Sequence, residues 1–122
     1  NYAPEYPSIA GVYLNRLRQG IRLQADPTVA FCYDFTLNRI LFKHLEYDSP
    51  YNTYLYEGLP PGPICVPDKA SLEAVLNPDR HGYLFFCASA AMDGTHKFAV
   101  TLSEHNRNAR EFQRALDARR PR

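Results

Sequence analysis

Ser49-Pro50-Tyr51-Asn52-Thr53-Tyr54 runs on into Gly58-Leu59-Pro60-Pro61-Gly62-Pro63-Ile64, and the reading of this stretch decides the fold around it. It sets two tyrosines, an amide and a hydroxyl beside a loop stiffened by Pro60, Pro61 and Pro63. Proline fixes φ and removes a backbone donor, so such a loop has few conformations open to it. Two readings compete. One is a surface held in shape for a ligand. The other is a structural turn with its tyrosines lying over the core, which is what Pro-Gly clusters more often mark.

Working outward, Pro7 fits the first turn of a helix that runs to about Gln19 and stops at Gly20. Ile9, Val12, Tyr13 and Leu17 make one apolar stripe on it, and Arg16 and Arg18 complement the dipole of its last turn. Asp26-Pro27 reads as the N-cap and first residue of a short second helix. Residues 37–47 read as a strand or extended segment leading into the Ser-Pro motif. Asp68 caps a helix from Lys69 to Leu76, with Ala70, Leu72, Val75 and Leu76 as its buried side and Asn77-Pro78 as its end. Tyr83–Ala88 and Thr95–Val100 read as a hairpin turning through Asp93-Gly94, and Thr101 or Ser103 caps a last helix to about Arg119. The expectation is an α+β fold with at least three helices and a small mixed or antiparallel sheet, residues 1–122 forming a single domain.

Composition narrows the function. Length suits one core, and 45% hydrophobic with 22% charged residues is ordinary globular usage. A net charge of +1 gives no electrostatic case for nucleic acid. Arg107, Arg110, Arg114, Arg119, Arg120 and Arg122 crowd the end, but Glu104, Glu111 and Asp117 interleave with them, which describes a solvated helix face. No apolar run is long enough to span a membrane. Cys32, Cys65 and Cys87 are too widely spaced for a zinc or redox motif. They read as buried structural thiols, with a bridged pair as the alternative. Four histidines without metal-ligand spacing point to no metal, and no nucleotide or serine-hydrolase motif is present.

Five ordered motifs, spread from about Ile9 to Asn106, give a specific resemblance. They are Asn15-Arg16-Leu17, Leu23-Gln24-Ala25-Asp26-Pro27-Thr28-Val29, the Ser49–Ile64 stretch, Asn77-Pro78 with Tyr83–Phe86, and His105-Asn106. Together they resemble the catalytic domain of the YceG-like endolytic murein transglycosylases, formerly labelled aminodeoxychorismate lyases. The resemblance implies a lyase that cuts the MurNAc-GlcNAc bond of peptidoglycan to a 1,6-anhydro product and terminates nascent glycan strands. It implies an extracytoplasmic, periplasmic setting, no cofactor, glycan strands as partner with cell-wall synthases as further candidates, and membrane attachment only through an anchor in a longer parent protein. The family's catalytic glutamate falls upstream of Asn1. The chain is therefore expected to hold most of the domain without its N-terminal part, to contain no catalytic residue, and to be inactive alone. Glu5 matches a later family glutamate.

On this reading the supporting, substrate-binding residues are Gln24, Asp26, Thr28, Tyr51, Asn52, Thr53, His105 and Asn106. Gln24 can donate to and accept from an acetamido group. Asp26 stands near the catalytic acid or merely caps its helix. Strand-like alternation would place Tyr51 and Thr53 on one side and Asn52 and Tyr54 on the other. Asn52 contacts glycan or orients the acid, or it closes an Asx turn. His105 and Asn106 face the cleft, or cap and pack. The expected groove is bordered by residues 24–28 and 51–54. The alternative function is a non-catalytic glycan-binding or scaffold module. A pyridoxal-phosphate lyase finds no support, since Lys43, Lys69 and Lys97 lack a phosphate-loop context.

Overall fold

Pro7 lies in the first turn of α1 (Tyr6–Gln19), and Gly20, at φ +69°, ends it in the left-handed conformation that suits glycine. A computed structural model of the chain describes residues 2–119. Arg120 and Arg122 lie outside them. The remaining elements are α2 (Asp26–Cys32), α3 (Lys69–Leu76), β1 (Phe85–Ala88), β2 (His96–Ala99) and α4 (Leu102–Ala118), with 3-10 turns at Ala3–Glu5 and Phe42–Glu46. The α+β class is as expected. The described residues divide into two compact units, one made of the chain up to Asn15 and from Asp68 onward, the other of Arg16–Pro67.

In the first unit β1 and β2 pair antiparallel, Phe85 opposite Ala99 and Ala88 opposite His96, and α4 packs on both strands. Thr101 caps α4, its hydroxyl accepting from Glu104 N at 3.2 Å. The described arginines of that helix, Arg107, Arg110 and Arg114, are exposed, as a solvated face requires. Val12 and Ala10 of α1, Ala74 and Ala99 are the buried apolar positions of this unit. Around them Tyr13, Phe86 and Phe98 pack, with Phe86 edge-on to Tyr13 and 6.1 Å from Phe98 between ring centroids. Cys87 lies half-buried on β1, and burial together with the Glu111 charge pushes its thiol pKa up, which keeps it a packed thiol.

Polar side chains finish this unit. Asn15 donates Nδ2 to the carbonyls of His81 and Tyr83, at 2.8 and 3.0 Å. His81 accepts at Nδ1 from Tyr83 N, so its proton sits on Nε2, which donates to Ser8 O at 2.8 Å. Glu5 binds His96 through its backbone N–H, at 3.0 Å, and through its ring.

Asp68 caps α3 as expected, Oδ1 accepting from Ser71 N at 2.8 Å. The inner face of that helix is not the expected one. Ala74 is buried and Ala70 and Ser71 are half-buried, while Leu72, Val75 and Leu76 are exposed. The small side chains lie inward and the bulky ones are turned outward.

The second unit holds α2 and the Phe42–Glu46 turn, and no strand among its described residues. The extended segment expected over 37–47 is therefore a correction. With no partner strand to take its backbone groups, the chain closes them locally. Leu41 N donates to His44 Nδ1 at 2.9 Å, and Tyr33 packs edge-on against His44 and Tyr47. The start of α2 also differs by one residue. Ala25 is the N-cap, Asp26 is already helical, and no side chain caps this end. Arg16, buried on α1, donates Nη1 to Arg22 O at 2.6 Å and fixes the turn after Gly20. The cysteines carry no disulfide among the described residues, and Cys65 is exposed where a buried thiol was expected.

Gly11 sits inside a helix, where alanine ordinarily gains up to about 1 kcal/mol. Here a Cβ would stand 2.6 Å from His81 Nε2 and 2.7 Å from the Asp79 carbonyl oxygen. Gly11→Ala is expected to destabilise the protein by roughly 1–3 kcal/mol through this crowding, read as a lower midpoint in denaturant.

The Ser71 hydrogen bonds hold the Asp68 carboxyl below its ordinary pKa. A carboxyl with a folded pKa below its unfolded one adds stability above the unfolded value, and that stability disappears as pH falls through the folded value. Melting temperature should therefore drop below the usual aspartate range. Asp68→Asn, which keeps the cap without the charge, should flatten that part of the profile while changing little at neutral pH.

Candidate functional site

Thr53 and Thr28 join the two motifs of the second unit. Thr28 Oγ1 donates to Ala25 O at 2.6 Å, since a carbonyl can only accept. Its single hydrogen is thereby used, so the 2.8 Å bond between the hydroxyls runs from Thr53 Oγ1 to Thr28 Oγ1. Thr53 Oγ1 accepts from Ala25 N at 2.9 Å, and Thr53 O accepts from Gln24 N at 3.2 Å. Residues 24–28 and 51–54 are thus brought together. Both threonines are buried, Thr53 almost completely. Their hydroxyls are engaged in joining the two segments.

Asn52 is 0% exposed. Its Nδ2 donates to Leu45 O and Tyr47 O, both at 2.9 Å, and its Oδ1 accepts from Tyr54 N at 2.9 Å. The last bond is the Asx turn. Of the readings open for Asn52, the Asx turn is the one present, and every polar atom of this side chain serves the protein's own backbone. The alternation expected over 51–54 fails for the same reason: the segment is a turn, and Asn52 and Thr53 are buried side by side.

Gln24 and Asp26 remain outward-facing. Gln24 is exposed and holds φ +48°, a left-handed conformation uncommon outside glycine and a form of strain that concentrates at functional sites. Asp26 is exposed, and its Oδ1 accepts from Tyr54 Oη at 2.5 Å. The expected capping role of Asp26 is replaced by this bond. Tyr51 is half-buried, its ring centroid 4.7 Å from that of Phe31 and its hydroxyl close to Gly62 of the proline loop. Tyr56 Oη donates to Asp48 at 2.6 Å within the same loop, and this bond raises the tyrosine pKa.

In the other unit, His105 stacks on Phe85 with ring centroids 5.1 Å apart, and Asn106 is exposed. Thr101, not His105, caps that helix. Asn15, Arg16, Asp26 and Tyr54 all stand within the sequence motifs, but the partners they reach, His81 and Tyr83, Arg22, and each other, are not signalled there. Tyr54 stands inside the Ser49–Ile64 stretch, but nothing in the chain signals a bond across 28 residues.

The YceG-like family model matches residues 1–111. A Bacillus subtilis (strain 168) protein named endolytic murein transglycosylase is 45% identical over 104 residues, which cover 85% of this chain and 28% of that protein. A Streptococcus pneumoniae (strain D39) protein of the same name is 31% identical over 108 residues, 84% of this chain and 19% of that one. The crystal structure of a YceG-like protein from Listeria monocytogenes matches with a TM-score of 0.74 at 45% identity, covering 81% of this chain and 31% of that chain. The chain spans less than a third of the length of these relatives.

Asn52→Ala removes the partner of two carbonyls and one N–H, all against a fully buried side chain. A buried group left unpaired costs about 1–3 kcal/mol, so a total loss of roughly 2–4 kcal/mol is expected. Chemical denaturation of both proteins measures it; a variant as stable as the wild type would show that the amide does not carry the loop.

Proposed function

The chain belongs to the YceG-like family, and from that premise we propose that it forms the substrate-binding part of a peptidoglycan lytic transglycosylase. The observation that carries the reading is the joining of residues 24–28 to residues 51–54, with Gln24 and Asp26 exposed beside it. The names of the Bacillus and Streptococcus relatives support the substrate class.

Lytic transglycosylation needs one carboxylic acid. The acid protonates the oxygen of the MurNAc-GlcNAc bond as it breaks. Its carboxylate then takes the proton of the sugar's own 6-hydroxyl, which closes on the anomeric carbon as a 1,6-anhydro ring. No water attacks, so the second carboxylate of an ordinary glycosidase is not needed. In this reading the acid is a glutamate of the parent protein that precedes Asn1. Glu5 is a poor substitute, because both its oxygens accept from His96 N. The role of the chain's own residues is to bind and orient the strand. Gln24 supplies an amide that pairs with acetamido groups, Asp26 an acceptor, and Tyr51 an aromatic face. Thr28, Asn52 and Thr53 hold these in place. His105 and Asn106 are proposed as further contacts. The parent acts on the extracytoplasmic side, alongside the cell-wall synthases.

Incubating peptidoglycan with the parent protein, and separately with this 122-residue chain, tests the reading. Mass spectrometry should find anhydro-muropeptides with the parent and none with the chain alone. Glycan binding without cleavage by the parent would instead identify a binding module.

A further inference from the structure

Tyr54 donates its hydroxyl to an exposed carboxylate, that of Asp26, at 2.5 Å. The fold does not need this bond to join the two segments, because Thr53 already ties Gln24, Ala25 and Thr28 through buried contacts. Nor does it serve α2, whose first turn takes no cap from Asp26. Its effect is on the carboxylate. An exposed aspartate in water samples its rotamers freely, whereas a phenol bonded to Oδ1 fixes one. A carboxylate has about four lone-pair sites, so Oδ2 keeps its capacity to accept. Two residues earlier, the Gln24 side chain leaves a left-handed backbone whose N–H is tied to Thr53 O at 3.2 Å. An acceptor and an amide, both exposed, thus flank Ala25, whose N–H is tied to the hydroxyl of the buried Thr53.

We infer that Tyr54 is a positioning residue. It orients Asp26 so that the free carboxylate oxygen accepts from hydroxyl or acetamido N–H groups of a glycan that Gln24 also contacts. The inference rests on the peptidoglycan reading above and deepens it. Tyr56–Asp48 provides an internal comparison. It is the same phenol-carboxylate bond, at 2.6 Å, but it spans 8 residues within one loop. It has no exposed amide rooted beside it and serves as a local tether.

The test is a nuclear magnetic resonance titration of the 122-residue chain with peptidoglycan glycan strands stripped of their peptides. The wild type should bind. Asp26→Ala should weaken binding about tenfold or more, the loss expected for one hydrogen bond to a charged group. Tyr54→Phe should weaken it by at least about fivefold, from loss of orientation, with an unchanged melting temperature. In the Asp26→Ala background Tyr54→Phe should lose no further glycan binding, because on this inference the phenol reaches the glycan through the carboxylate. Tyr56→Phe should bind as the wild type does. Unchanged binding by Tyr54→Phe, or a further loss in the Asp26→Ala background, overturns the inference alone. So does a Tyr54→Phe protein that loses its fold, since that marks the bond as a tether. A wild-type chain that ignores the strands overturns the peptidoglycan reading and this inference with it.

Discussion

The buried side-chain amide of Asn52 is the constraint on which the 16–67 unit depends. That unit has no sheet among its described residues, so its loop carbonyls and N–H groups cannot pair in a ladder. A buried backbone group without a partner costs free energy comparable to a lost hydrogen bond. Asn52 meets two carbonyls and an N–H at once. Only an amide has two donors and an acceptor on one short side chain. Aspartate lacks the donors, and leucine lacks both. Thr53 repeats the solution one residue later, offering its hydroxyl and its carbonyl to the segment that leads into α2. Pro60, Pro61 and Pro63 stiffen the loop downstream, but the turn itself is set by these two side chains.

The same device appears on α1. Asn15 and Arg16 are adjacent and both buried, and each supplies donors to backbone carbonyls of non-regular segments, His81 and Tyr83 for the first and Arg22 for the second. An Asn-Arg pair late in an amphipathic helix ordinarily reads as solvent-exposed. The Arg16 guanidinium is instead an anchor, which its fork of fixed donors suits.

These cases mark where sequence reading succeeds and where it stops. Helix boundaries are legible because their causes are local: Pro7 and Gly20 for α1, Asp68 with Asn77-Pro78 for α3, Thr101 for α4. The hairpin is legible from two short aromatic runs either side of a turn. The family is legible because five motifs in order are specific, and the matched model spans residues 1–111. The site is half legible. Its two segments are expected as neighbours, since both belong to the resemblance. Which side chains face outward is not legible, because that depends on hydrogen bonds between residues distant in sequence. Asn52 reads in the sequence as a glycan contact, an orienting group or an Asx turn, and its burial, which decides for the turn, is not legible there. Asp26 looks like a cap and is an exposed acceptor. On α3 the expectation holds for Ala70, which is half-buried, and fails for Leu72, Val75 and Leu76, because apolar character marks the bulky side while Ala74 takes the buried position.

A polar core has a consequence for how such a site behaves. In the 16–67 unit the buried apolar side chains are Leu23 and Val29, whereas Phe35, Leu41, Phe42, Tyr47, Leu55, Tyr56 and Leu59 are exposed. Apolar burial is non-directional and scales with area, so it tolerates small shifts. A hydrogen bond contributes only about 1 kcal/mol net but weakens steeply with misalignment. Buried bonds of this kind add little stability each, yet they fix positions closely while intact. Gln24 can then be held at φ +48° without glycine, because the N–H bond to Thr53 O and the buried Leu23 before it over-determine that backbone. The geometry of the exposed residues is thus inherited from buried polar ones, and a defect in the strut reaches the surface as a displaced side chain before the unit unfolds.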